Sequence, residues 1–403
     1  MCALSKKEGI KLNQQTRFST RAIHAGEQRD PQTGAITTPI YQTSNFAFTS
    51  TQELLAYNRG ESSAYIYTRY GNPTLTAVEA KMAALEDGDD AAVFASGMAA
   101  ITTAILPFVE QGDHIVASRD IYGGTFNFLN TILPRFGITT SFVDATNIEM
   151  IAETIQSNTK LIFCESPTNP TLKLVDLVQL AKLGREQELP IIFDNTFATP
   201  INQHPTRWGI EIIVHSATKY LGGHNDLMAG VIIGSTEYIQ SVKELLKIFG
   251  GVLDPHAAWL LLRGLKTLPL RVHRHNQTSL QVAKYLEDHN KVQHVYYPGL
   301  ESHPQHSLAK TQMQGYGGVI SFELKGDFVA ASRFVDNMKT AFITPSLGGV
   351  ETLITQPSTT SHYHLDPQER KNAGISDELI RLSVGLEDFE DILAGLDHAF
   401  TKI

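Results

Sequence analysis

Residues 190–224 read PIIFDNTFATPINQHPTRWGIEIIVHSATKYLGGH, and two short runs within them, IIFD at 191–194 and EIIVH at 211–215, decide the fold class. Each run is rich in β-branched residues, is too short for a helix and ends at a polar residue, as a strand buried on both faces does. The same rhythm extends upstream. AAVFA at 91–95 precedes GMAAITTAILPFV, HIVAS at 114–118 precedes TFNFLNTILPRF, and KLIFCE at 160–165 precedes LVDLVQLAKLGREQ. Short apolar strands alternating with longer helical patterns predict an α/β unit whose mostly parallel sheet lies between helices.

In an open sheet of this kind ligands bind beyond the carboxyl ends of the strands, so the polar residues just past each run are the candidates. AAVFA leads into Ser96, Gly97 and Met98 at the start of a helix. Unpaired backbone N–H groups and the positive end of the helix dipole suit a phosphate there, although Ser96 also reads as an ordinary N-cap. IIFD ends in Asp194, a carboxylate that needs a cationic partner if buried, or that caps the turn after it. EIIVH leads to Ser216, Thr218 and Lys219, the lysine 25 residues beyond Asp194 (219 − 194). Burial or a neighbouring cation makes such an amine nucleophilic, and the two hydroxyls either bind an anion or bond their own turn.

Tyr122, after HIVAS, offers a ring for stacking and a hydroxyl for proton transfer. Asn169 stands at the same rim in SPTNP, where turn chemistry also accounts for it. In YIYTRYGNPT, Tyr67 and Arg69 alternate along an extended run and suit an anion on one side. Arg381, between Ile380 and Leu382, needs a carboxylate, and an amino acid substrate brings one.

The chain has 403 residues, 42% of them hydrophobic, and so should hold more than one core. The expected division is a polar, irregular arm at 1–62 that contacts a neighbouring subunit, a ligand-binding α/β domain at 63–262, and an α+β domain at 263–403 that includes a bridging helix. GGVISFELKG and LIRLSVGLED are its expected strands, and FEDILAGLDHAF its last helix. A net charge of −9 without a basic run argues against nucleic acid and anionic membrane as partners. Two cysteines, Cys2 and Cys164, exclude a disulfide framework and a cysteine-based zinc site, and a reducing cytoplasm is the expected compartment. His362 and His364 in HYH lack a partner cluster, so no metal is expected. GYGG from Gly315 does not fit a dinucleotide fingerprint, and no apolar run is long enough for a signal peptide or a membrane span.

Taken together, YTRYGNPT, SGMAA, YGGT, ESPTNP, DNTFATP, HSATKYLGGH, RGLKTL and SLGGVETL resemble, in order and spacing, the Cys/Met-metabolism (trans-sulfuration) family of fold-type I pyridoxal 5′-phosphate (PLP) enzymes. The resemblance runs from STRAIHAGEQ to RLSVGLED. It implies a large domain with a mostly parallel seven-stranded sheet, a smaller α+β domain, and PLP as cofactor. Lys219 is then similar to the lysine that holds the cofactor as a Schiff base, Asp194 to the partner of the protonated pyridine nitrogen, and Tyr122 to the tyrosine stacked on the ring. Gly97, Met98, Ser216 and Thr218 match phosphate-binding positions. Tyr67 and Arg69 match a pair that reaches the phosphate from a neighbouring subunit, which implies a homotetramer built from active dimers. Asn169, Ser346 and Arg381 match residues that hold a cofactor oxygen and the substrate carboxylate.

The implied chemistry is γ-elimination or γ-replacement on cystathionine or a homoserine ester, with Lys219 and Tyr122 as the acid and base groups. Methionine γ-lyase and cystathionine β-lyase are the alternatives, and a PLP-binding scaffold without catalysis is the non-enzymatic one. Two positions depart from the family pattern. Gly124 stands where methionine γ-lyases typically carry a reactive cysteine, and Pro345 where many cystathionine γ-lyases and γ-synthases carry a glutamate.

Overall fold

The structure is a computed structural model that describes residues 16–360, 363, 366, 368, 370 and 374–403. His362 and His364 lie outside the described residues. The chain opens with helices α1 (Phe18–His24) and α2 (Thr51–Asn58), so the segment read as irregular carries helical turns where the polar sequence gave little periodicity. Helix α3 (Pro73–Glu86) follows. The Asn72 side chain accepts from the Thr74 N–H at 2.9 Å, Pro73 fills the first turn where no donor is needed, and Asp87 ends the helix in the left-handed conformation.

Seven strands form the first sheet: β1 (Asp90–Phe94), β2 (His114–Ser118), β3 (Thr139–Val143), β4 (Thr159–Glu165), β5 (Ile191–Asp194), β6 (Ile212–Ser216) and β7 (Gly230–Gly234). Their order is β1-β7-β6-β5-β4-β2-β3, and β3, β2, β4, β5 and β6 are mutually parallel. β7 is antiparallel to both β6 and β1, so β1 runs with the parallel set and its carboxyl end opens on the same rim. The sequence reading names neither β3 nor β7. β3 is a half-exposed edge strand, TTSFV, and β7 is a five-residue run bracketed by glycines.

Alternate residues along each strand enter two separate cores. Val93, Cys164, Phe193 and Ile213 pack on one face, and Phe94, Phe163, Ile192 and Val214 on the other. Helices therefore cover both faces, which is why the strands read as unbroken apolar runs. Cys164 is fully buried, and burial pushes its thiol up to about 12, which suits a core residue and no chemistry.

Helices Pro255–Lys266 and Leu268–Asp288 lead to a second sheet of β8 (Val292–Tyr296), β9 (Val319–Leu324), β10 (Phe342–Ile343), β11 (Leu353–Thr355) and β12 (Leu379–Ser383), in the order β10-β11-β12-β9-β8. Its inner residues Ile320, Phe322, Ile380 and Leu382 belong to the same core as the first face of the large sheet. The shared core fixes the smaller sheet against the larger, and the site lies where they meet. Helix Phe389–Phe400 closes the chain. Among the described residues no helix is long and apolar enough to cross a membrane.

Candidate active site

A cavity of about 610 Å³ opens at the carboxyl rim of the large sheet. Ser96, Gly97, Met98, Tyr122, Asn169, Asp194, Ser216, Thr218, Lys219, Ser346 and Arg381 all line it. Residues far apart in sequence converge because the rim gathers the ends of β1, β4, β5 and β6, while β12 supplies Arg381 from the second sheet.

At the β1 exit, Ser96 caps helix α4 (Gly97–Ile105) by accepting the Ala99 N–H at 3.1 Å, and the N–H groups of Gly97 and Met98 stand in the first helical turn. A Cβ on Gly97 would lie 2.8 Å from the Ser216 Cβ, so only glycine lets this turn approach β6 so closely. Gly230 of β7 backs the same turn, since a Cβ there would sit 2.2 Å from the Ser96 carbonyl oxygen. Together they make a cradle of backbone donors beside the Ser216 hydroxyl.

Asp194 is 5% exposed at the end of β5. Its Oδ1 accepts from the Thr196 N–H at 3.0 Å and from the Thr196 hydroxyl at 2.5 Å, and the same Thr196 oxygen accepts the Ser216 N–H at 2.8 Å. The capping turn and the buried carboxylate are thus both present. None of the ion pairs among the described residues involves Asp194, and burial raises its pKa against the Thr196 donors and the charge of His215, which lower it. A buried carboxylate left ionised without a cation costs several kcal/mol, so the site is built for a positive group beside it.

Lys219 donates from Nζ to Ser346 Oγ at 2.8 Å. Burial, with a smaller contribution from the positive charge of Arg381, brings its pKa down to about 8. Ser346 holds φ at +105°, a strained conformation for a residue with a side chain, and its carbonyl accepts Arg381 Nη2 at 2.8 Å. Arg381 also donates from Nη1 to Asn169 Oδ1 at 3.0 Å. The guanidinium is buried, touches only neutral acceptors, and leaves Nε without a partner. It is placed to receive a carboxylate.

Some expectations land elsewhere. Thr218 commits its hydroxyl to its own turn, donating to the Ala229 carbonyl at 3.2 Å and accepting the Ala229 N–H at 3.0 Å. Tyr67 and Arg69 do not reach the cavity in the single chain. The Arg69 guanidinium lies over the rings of Tyr67 and Tyr70, 5.4 and 5.1 Å from their centroids, and donates to the Lys247 carbonyl. The sequence reading also passes over Glu165 and Thr196, both in the cavity wall. Glu165 ends an apolar strand just as Asp194 does, so the strand-end rule was enough to find it.

The model of the family described as Cys/Met metabolism PLP-dependent enzyme matches residues 19–401. The chain is 45% identical over 385 residues to cystathionine gamma-synthase 1, chloroplastic, of Nicotiana tabacum, covering 95% of this chain and 71% of that protein. It is 43% identical over 389 residues to L-methionine gamma-lyase of Fusobacterium nucleatum subsp. nucleatum, covering 96% and 98% of the two. Its structure is similar to that of cystathionine gamma-lyase from Lactobacillus plantarum complexed with L-serine, with a TM-score of 0.91 and 40% identity over 96% of this chain and 99% of the other.

Proposed function

The chain belongs to the Cys/Met metabolism PLP-dependent enzymes, and we propose that within this family it cleaves or forms the C–S bond of cystathionine by γ-elimination or γ-replacement. It is a PLP-dependent trans-sulfuration enzyme. The residues present fit the cofactor. Asp194 is a buried carboxylate without an ion-pair partner among the described residues, Lys219 is a desolvated amine in the same cavity, and the turn at Gly97 is a cradle that a Cβ would fill. Asp194 would hold the pyridine nitrogen, Lys219 the aldehyde carbon, Tyr122 the ring face, and Ser96, Gly97, Met98 and Ser216 the phosphate. When bound, PLP supplies an electron sink for charge that develops on the substrate carbon.

The chain's own groups then divide the remaining work. Arg381, braced by Asn169 and Ser346, binds and orients the substrate carboxylate. Lys219, with a pKa near 8, takes a proton at Nζ and returns it near neutral pH. Tyr122 offers its hydroxyl as the second proton carrier that γ chemistry needs. The observation that carries the reading is the shared cavity of Lys219, Asp194 and Arg381, with an amine, an acid and a carboxylate receptor facing one space.

Gly124 weighs against strong methionine cleavage, as Pro345 weighs against recognition of cystathionine by a glutamate at that position. A Cβ at 124 would lie 2.6 Å from the Tyr122 ring and 3.0 Å from the Met98 sulfur, so no cysteine fits beside the tyrosine as it stands. The location of Tyr67 and Arg69 outside the cavity is compatible with an active dimer in which each chain serves its partner's site; the homotetramer is part of the proposal on the family resemblance alone. A cytoplasmic compartment, with Cys164 a buried free thiol, completes the proposal.

The test is a substrate panel of cystathionine, methionine, and an O-acylhomoserine with cysteine, with products identified by mass. Either 2-oxobutanoate with cysteine, or new cystathionine, is expected. Pyruvate as the sole keto acid from cystathionine would instead mark a β-lyase, and methanethiol as the principal product a methionine γ-lyase.

A further inference from the structure

Glu165 is 3% exposed and occupies the last position of β4. The ladder pairs it with Asp194 of β5, and paired residues on neighbouring strands project to the same side of a sheet. Two buried acids therefore stand next to each other in the cavity wall. Glu165 Oε2 accepts the backbone N–H of Tyr122 at 2.8 Å. Tyr122 precedes helix α5 (Gly123–Asn127), whose N-terminus has no side-chain cap of its own, so the glutamate fixes the backbone from which the tyrosine side chain enters the cavity.

We propose that Glu165 is a positioning residue whose carboxyl group, as a neutral acid, anchors the Tyr122 backbone and leaves Asp194 as the one negative charge beneath the cofactor. Burial and the neighbouring acids favour the neutral form and outweigh the Tyr122 N–H, which alone favours the carboxylate. Burial raises the pKa of Glu165 well above the ordinary glutamate value, and the charges of Asp194 and Asp120 add to the rise. None of the ion pairs among the described residues involves Glu165, and Lys173 is engaged by Asp120 at 2.7 Å. Adjacent buried carboxyls do not both ionise, and Asp194 has the stronger claim to the charge, with two donors from Thr196. A neutral glutamic acid accepts the Tyr122 N–H through its carbonyl oxygen, and so does glutamine.

The proposal rests on the PLP reading of the cavity and is tested on apoprotein titrated with PLP. Affinity, the visible circular dichroism of the bound cofactor, and kcat and KM on cystathionine are compared for wild type, Glu165→Gln and Glu165→Ala. Glu165→Gln is expected within about twofold of wild type on every readout, because it keeps the acceptor and the neutrality. Glu165→Ala is expected to bind PLP about tenfold more weakly, with a diminished dichroic band and a fall in kcat larger than the change in KM. Alanine equal to wild type, or glutamine falling as far as alanine, overturns the proposal. If alanine does not fold, glutamine decides alone, since a tenfold loss there shows that the charge was needed. Wild type that fails to bind PLP sinks the cofactor reading itself, a separate result.

Discussion

Lys219 shows how much a single residue owes to its surroundings. A solvated lysine titrates near 10.5, whereas burial beside Arg381 brings this one down to about 8. For a lysine a lowered pKa disfavours the charged ammonium, so the nucleophilic amine predominates above about pH 8 and is already present near neutrality. The rate at which apoprotein captures PLP, followed by stopped-flow absorbance, should rise with pH and level off just above 8. A rate still climbing beyond about pH 10 would mean an ordinary surface amine. Arg381, brought down to about 10 by burial, stays charged across this range and keeps its hold on a carboxylate.

At the scale of elements, the rim was legible because strand ends announce themselves. Apolar runs that stop at Asp194 and before Ser216, and a Ser-Gly step into a helix, follow from local periodicity and capping chemistry. The remainder depends on contacts distant in sequence. The reversed β7 leaves no mark in its own five residues, and the need for Gly230 appears only once β1 and Ser96 lie against it. Ser346 is named through the family motif, whereas its +105° φ and its hydrogen bonds to Lys219 and Arg381 from other elements could not be read from TPSLGG. Glu165 was legible by the same rule as Asp194, but without a partner in view a second acid at the rim had no role to suggest it.

For the whole molecule, the site is a seam. The large sheet supplies the amine, the acid and the anion cradle, the smaller one supplies Arg381, and their common core holds the two in register. Tyr67 and Arg69 stand apart from this seam, and their proposed service to a partner chain can be read directly. Arg69→Ala and Lys219→Ala chains are each expected to be nearly inactive alone. Random pairing of the two yields mixed dimers with one intact site, and about a quarter of wild-type activity should return. No recovery on mixing would mean that each chain uses its own Arg69. The claim beneath all of this is that the amine of Lys219 carries the cofactor at the mouth of the large sheet. Borohydride reduction of the intact holoprotein, followed by peptide mass mapping, tests it most directly: a pyridoxyl adduct on the peptide containing Lys219 is the predicted result, and an adduct on a different lysine, or on none, would contradict it.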